Sequence, residues 1–119
     1  MNVDQMMQFC RSFQGVVERE SGPPANVLSF LVGNKKFAYF KTSDPEKWRF
    51  SIRVLPERFL ELTDQPGIKP ARYMHRFHWV TVVDVSSVDS AHLKALVSGS
   101  YTKAFSGLPK KAQAIINNE

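Results

Sequence analysis

The chain has 119 residues, enough for one core without disulfide or metal staples, and its 43% apolar content excludes global disorder. A single cysteine, Cys10, excludes an intramolecular disulfide framework and fits a reducing compartment. Lys plus Arg is 16 against 11 Asp plus Glu, and the resulting charge of +5 favours anionic partners over cationic ones.

Val3, Met6, Met7, Cys10 and Phe13 recur at helical spacing, which predicts a first helix over residues 2–13, stopped near Gly15. Cys10 lies on its apolar stripe, where a packed, inert thiol is expected rather than a nucleophile. Ser21-Gly22-Pro23-Pro24 reads as a loop. Val27–Val32 and Lys36–Lys41 read as the arms of a hairpin about Gly33-Asn34. After a polar turn over Thr42–Glu46, Trp48, Phe50, Ile52 and Val54 alternate with Arg49, Ser51 and Arg53. That period of two predicts a strand over residues 48–55, with one buried face and one wet face carrying two arginines.

Pro56 opens a short helix through Leu62, ended by Asp64-Gln65-Pro66-Gly67. Residues 68–76 read as irregular. Phe77–Val85 is predicted as the strongest strand, with Trp79, Val80, Val82 and Val83. Ser87 or Asp89 then caps a helix whose stripe is Leu93, Leu96, Val97, Tyr101 and Ala104. Gly107 stops it, and Pro109 restarts a terminal helix. The order α-β-β-β-α-β-α-α, hairpins first and helices grouped, predicts an α+β fold in a single domain spanning residues 1–119.

Signatures of catalysis are missing. There is no glycine-rich phosphate loop, no paired-histidine zinc motif and no nucleophile elbow. Gly33-Asn34-Lys35-Lys36 lacks the spaced glycines of a phosphate loop and reads as the hairpin turn. His75 and His78 are three apart, but no third ligand converges on them in sequence, so no metal site and no cofactor are expected. No stretch approaches the roughly 18 apolar residues of a membrane span. Met1–Phe13, with Asp4, Gln5, Gln8 and Arg11, does not have the form of a secretory signal, so a cytoplasmic location is expected.

The basic residues are better organised. Lys35, Lys36, Lys41, Lys47, Arg49 and Arg53 fall on the hairpin and third strand, and Lys69, Arg72 and Arg76 precede the late strand. Residues 90–111 hold Lys94, Lys103, Lys110 and Lys111 and no acid. Cations spread over a sheet face and its hairpin tips suit phosphate contacts.

The run Pro70-Ala71-Arg72-Tyr73-Met74-His75-Arg76-Phe77-His78-Trp79 resembles a segment of the MmcQ/YjbR family, commonly Pro-Gly-Tyr-His-Met-Asn-Lys-x-His-Trp. Ser100-Tyr101, Leu108-Pro109-Lys110-Lys111 and Ser12-Phe13-Gln14-Gly15-Val16 resemble that family's Ser-Tyr, Leu-Pro-Lys-Lys and Ser-Phe-Pro-Gly-Val motifs. Arg72, Tyr73, His75 and Gln14 depart from the pattern, whereas His78-Trp79 and Lys110-Lys111 match it. The resemblance implies a small bacterial domain with a curved antiparallel sheet and helices on one face, similar to a double-wing DNA-binding domain of a phage transcription factor.

The expected function is therefore a non-enzymatic DNA-binding module, monomer or weak dimer. Its phosphate contacts would be Lys35, Lys36, Arg49, Arg53, Arg72, Arg76, His78, Lys110 and Lys111. The alternative is a protein-interaction or chaperone-like adaptor using the sheet face or an edge strand.

Overall fold

The computed structural model describes residues 1–118. Among them the elements run α1 (Val3–Arg11), β1 (Val16–Ser21), β2 (Val27–Val32), β3 (Lys35–Lys41), β4 (Phe50–Arg53), α2 (Pro56–Thr63), β5 (Ile68–Pro70), β6 (Trp79–Val82), α3 (Ser90–Ser106) and α4 (Lys110–Asn117). Short 3-10 turns cover His75–Phe77 and Val85–Ser87. The strands make one antiparallel sheet in the order β1-β2-β3-β4-β6-β5. No described helix is long and apolar enough to cross a membrane.

Side-chain alternation divides this sheet into two unlike faces. One transverse row reads Glu20, Leu28, Phe40, Phe50, Val82, Ile68 across the six strands, and another reads Glu18, Phe30, Ala38, Ile52, Val80, Pro70. The inner members of both rows meet Met6, Cys10, Leu62, Leu93 and Val97 from the helices in one core. Fully burying a side chain such as Phe40 or Phe50 contributes about 2–3 kcal/mol. Between those rows, pointing the other way, lies Arg19, Ser29, Tyr39, Ser51, Thr81, Lys69. No described helix covers this polar row.

A bulge in β3 tunes the arrangement. Phe30 pairs with Ala38 but Leu31 pairs with Lys36, so Phe37 is the extra residue. Phe37 and Ala38 both enter the core, while Lys36 and Tyr39 share the open face, the ammonium 5.3 Å from the ring centre. The Phe37 carbonyl accepts a hydrogen bond from the Ser100 hydroxyl of α3 at 2.6 Å. That hydroxyl also accepts from the Arg53 backbone N–H at 3.1 Å. Ser100, almost fully buried, therefore staples α3 to the bulge and to the end of β4. Its neighbour Tyr101 stacks on Phe13, ring centres 4.5 Å apart, and donates to the Gln14 carbonyl at 2.6 Å.

Several expected boundaries shift for identifiable reasons. α1 begins with a capping box between Asn2 and Gln5 and ends at Arg11, two residues short of expectation. β1 and β5 add two outer strands to the expected order. β1 carries Glu18, Arg19 and Glu20 exposed, so no apolar alternation marks it. β5 is three residues long and ends at Pro70. β4 starts only at Phe50, because Trp48 has left-handed backbone (φ 69°) in the preceding turn and is partly exposed rather than a core residue. Likewise β6 is only Trp79–Val82. Phe77 closes a 3-10 turn, half exposed, and His78 is left-handed at φ 66°. Asp89, not Ser87, caps α3 by accepting from His92 N–H at 3.0 Å.

Candidate nucleic-acid interface

The uncovered sheet face becomes a groove because residues 71–78 arch over one end of it. The arch is held by Ala71 N–H donating to the Trp79 carbonyl (3.0 Å) and Trp79 N–H donating to Met74 (3.3 Å). Tyr73 lies in it with left-handed backbone (φ 70°) and is 81% exposed. A bulky residue is uncommon in that region, so the arch fixes this ring outward against a local backbone cost. Trp79, by contrast, is buried on the open face, tilted against Tyr39 with ring centres 5.6 Å apart.

The groove encloses ≈ 470 Å³ and is walled by Lys36, Lys41, Arg49 and Arg72, with Tyr39 and Tyr73 among its apolar surfaces. Its floor includes the Ser51 and Thr81 hydroxyls, hydrogen-bonded to each other at 2.7 Å. One carboxylate faces it, Glu46, and that group is already engaged twice. Arg49 approaches it at 3.2 Å and Arg72 at 3.1 Å. Partial desolvation and the neighbouring Arg19 both hold the Lys36 pKa below the usual lysine range. Four cations against one carboxylate leave the groove electropositive.

The predicted contact residues divide among several places. Lys36, Arg49 and Arg72 come together in the groove. Lys35 and Arg53 gather instead at the end of the sheet where β3 begins and β4 ends, beside Lys103. Arg76 sits on the outer arch with its guanidinium 5.3 Å from the Phe77 ring. His78 does not stand on the outward face of a strand: its ring packs edge-on against Phe59 of α2, centres 5.7 Å apart. Lys110 and Lys111 open α4, whose Ile116 joins the core on the helical side, and line neither cluster. The two arginines expected on one wet strand face thus part company: Arg49 lies just before β4 against the Glu46 carboxylate, and Arg53 ends β4 beside Lys103.

Lys41 and Lys103, grouped with the basic residues by sequence but not among the expected phosphate contacts, belong with these clusters, as does Tyr39. The bulge that turns Lys36 and Tyr39 to one side has no signature in Lys36-Phe37-Ala38-Tyr39, and Lys103 is far along the chain from Lys35. The Cys10 thiol takes no part. It is fully buried, and desolvation pushes its pKa up to about 12. No group of three or more His, Cys, Asp or Glu converges among the described residues.

This architecture recurs in known proteins. The uncharacterized protein YjbR of Escherichia coli (strain K12) is 24% identical over 117 residues, covering 98% of each chain. The crystal structure of Deinococcus radiodurans protein DR2400, a DUF419 domain, matches with a TM-score of 0.79 at 29% identity. That match covers 98% of this chain and 88% of the other. A Pseudomonas syringae protein shares the fold, with a TM-score of 0.70 at 20% identity over 87% of this chain and 99% of its own. The YjbR family model matches residues 11–103, and the chain belongs to the YjbR family.

Proposed function

We propose that the open sheet face binds single-stranded DNA through its phosphates, without catalysis. The observation that carries this reading is the groove itself: Lys36, Lys41, Arg49 and Arg72 surround aromatic surface on a face no helix covers. Phosphates would meet the cations, exchanging with Glu46 for Arg49 and Arg72, and a base would stack on the outward Tyr73 ring. A groove of ≈ 470 Å³ suits an unpaired nucleotide better than a duplex, which would touch only its rim. Contacts of this kind read the backbone, so sequence preference is expected to be slight.

Fluorescence polarisation with a labelled oligothymidylate, titrated across a salt series, tests the reading. Four phosphate contacts predict a slope of about −3 in log affinity against log salt. Lys36→Gln and Lys41→Gln should each flatten that slope by roughly 0.7. Absence of binding to both single strand and duplex at low salt would refute the reading.

A further inference from the structure

A second recess opens where β3 begins, β4 ends and the last turns of α3 pass over them. Lys35, Lys36, Arg53 and Lys103 line it around Ala104 and Gly107, enclosing ≈ 210 Å³. No acid lines it. None of the four cations has an ion-pair partner among the described residues, whose ion pairs involve Arg11, Arg49, Arg58 and Arg72. The Ser100 staple fixes the spacing, since its hydroxyl bonds both the residue after Lys36 and the backbone of Arg53. The carboxyl end of α3 contributes roughly half a negative charge nearby, a fraction of the positive charge present. Like charges gathered without a counter-ion leave the recess suited to an oxyanion.

A groove of ≈ 500 Å³ between the start of α2 and α3 shares Arg53, Lys103 and Ser106 with this recess as lining. Val54, Leu55, Pro56, Ala95, Leu96 and Gly99 form its apolar lining, and no carboxylate faces it. Arg58 and His78 stand on its rim, Arg58 already paired with Glu61 at 2.6 Å. Gly99 lies inside the 17-residue α3, where glycine costs about 1 kcal/mol relative to alanine. A Cβ there would meet nothing within 4 Å, so no packing contact requires the glycine. Its effect is to leave the floor of the groove open. The volume falls within the range of small-molecule sites.

We propose that these adjoining recesses bind one free small molecule, an amphipathic anion. Its phosphate or carboxylate head sits among Lys35, Lys36, Arg53 and Lys103, and its unbranched apolar body lies along Gly99. Charge complementarity selects this occupant. A bare oxyanion leaves the apolar trough wet, and a neutral amphiphile leaves four cations without a counter-charge. An acidic peptide presents carboxylates along its length to a trough whose cations lie only at its ends. The site shares Lys36 with the DNA groove and is otherwise built from different residues.

Calorimetric titration and ¹H–¹⁵N shift mapping on the full chain test it. The probes are octyl phosphate below its micelle-forming concentration, inorganic phosphate, and octyl glucoside. Octyl phosphate should bind at least tenfold more tightly than inorganic phosphate, with shifts centred on residues 53–56 and 95–107, and octyl glucoside should not saturate. Gly99→Leu, whose Cβ meets nothing within 4 Å, puts a side chain over the floor and should reduce octyl phosphate to the affinity of inorganic phosphate. Thr102→Phe narrows the groove from the next turn and serves if Gly99→Leu lowers the melting temperature. The double variant Lys35→Gln/Lys103→Gln should weaken both phosphates at least tenfold. Arg72→Gln, which acts on the DNA groove, should leave both unchanged. Equal affinity for octyl and inorganic phosphate, or full octyl phosphate affinity in both groove-filling variants, overturns the proposal. Binding of an acidic peptide without octyl phosphate binding overturns it as well.

Discussion

Replacing Ser100 by alanine removes one oxygen and strands two backbone groups. The hydroxyl, only 2% exposed as part of its residue, donates to Phe37 C=O at 2.6 Å and accepts from Arg53 N–H at 3.1 Å. Each buried polar group left without a partner costs about 1–3 kcal/mol. Alanine's higher helix propensity returns roughly 0.5 kcal/mol. Because the recess beside Ser100 admits solvent to one side, the net loss should lie near the lower end, about 2–4 kcal/mol. With a melting entropy of about 2.1 cal/mol/K per residue, 119 residues convert this to a drop of roughly 8–16 °C. Urea unfolding followed by circular dichroism, with calorimetry in parallel, measures both quantities. Ser100→Cys, a near-isosteric weak donor, should fall between the parent and Ser100→Ala. A loss below about 0.5 kcal/mol in Ser100→Ala would show that the hydroxyl does not hold helix and bulge together.

Three further outcomes are expected. Glu46→Gln removes the carboxylate shared by Arg49 and Arg72, so oligothymidylate affinity should rise about threefold or more; unchanged affinity counts against the groove as the DNA path. Gly33→Ala places a side chain at φ 60° with its Cβ 2.7 Å from Leu108 Cδ2, and should lose about 1–3 kcal/mol of unfolding free energy. Gly22→Ala meets open space and should change little, so equal losses in the two would refute that assignment. The Cys10 thiol, raised from 9.0 to about 12 by burial, favours the neutral folded form. Its contribution is complete below pH 9 and lost as pH rises towards 12. The stability decline over that window should therefore be shallower in Cys10→Ala, and native Cys10 should resist a disulfide-exchange reagent at pH 8 until the chain unfolds.

Local pattern revealed the elements that bury an alternating or helical stripe. Val27–Val32, the Lys36–Lys41 return strand, the Pro56 helix and the stripe from Leu93 to Ala104 all have an apolar face that must be covered, and each is found. β1 escaped because Glu18 and Glu20 point to the helical side at the margin of the sheet, where burial is not demanded. The period-two reading ran too far at Trp48 and Phe77 for one shared reason. Apolar character marks what can be buried, whereas Trp48 and His78 adopt left-handed backbone that ends the strand. The sites were less legible. Arg49 and Arg53 keep the same strand parity, yet Glu46 binds one and the α3 end surrounds the other. Glu46 lies only three residues from Arg49, but Arg72, which shares that carboxylate, is 26 residues from it, and the α3 end lies farther still from Arg53. The Ser100-Tyr101 pair, visible as a motif, has its physical reason only once the Phe37 bulge and Gln14 carbonyl are in place.

The outermost strands bear on whether a second strand can add to the sheet. A sheet with a bare face and two free margins invites stacking with a second copy. Here one margin is β1, studded with Glu18, Arg19 and Glu20, and the other is β5, cut to three residues and closed by a proline that lacks an N–H to offer. Both rims therefore deter an incoming strand, and the polar floor can stay open to water without drawing molecules into a growing ribbon.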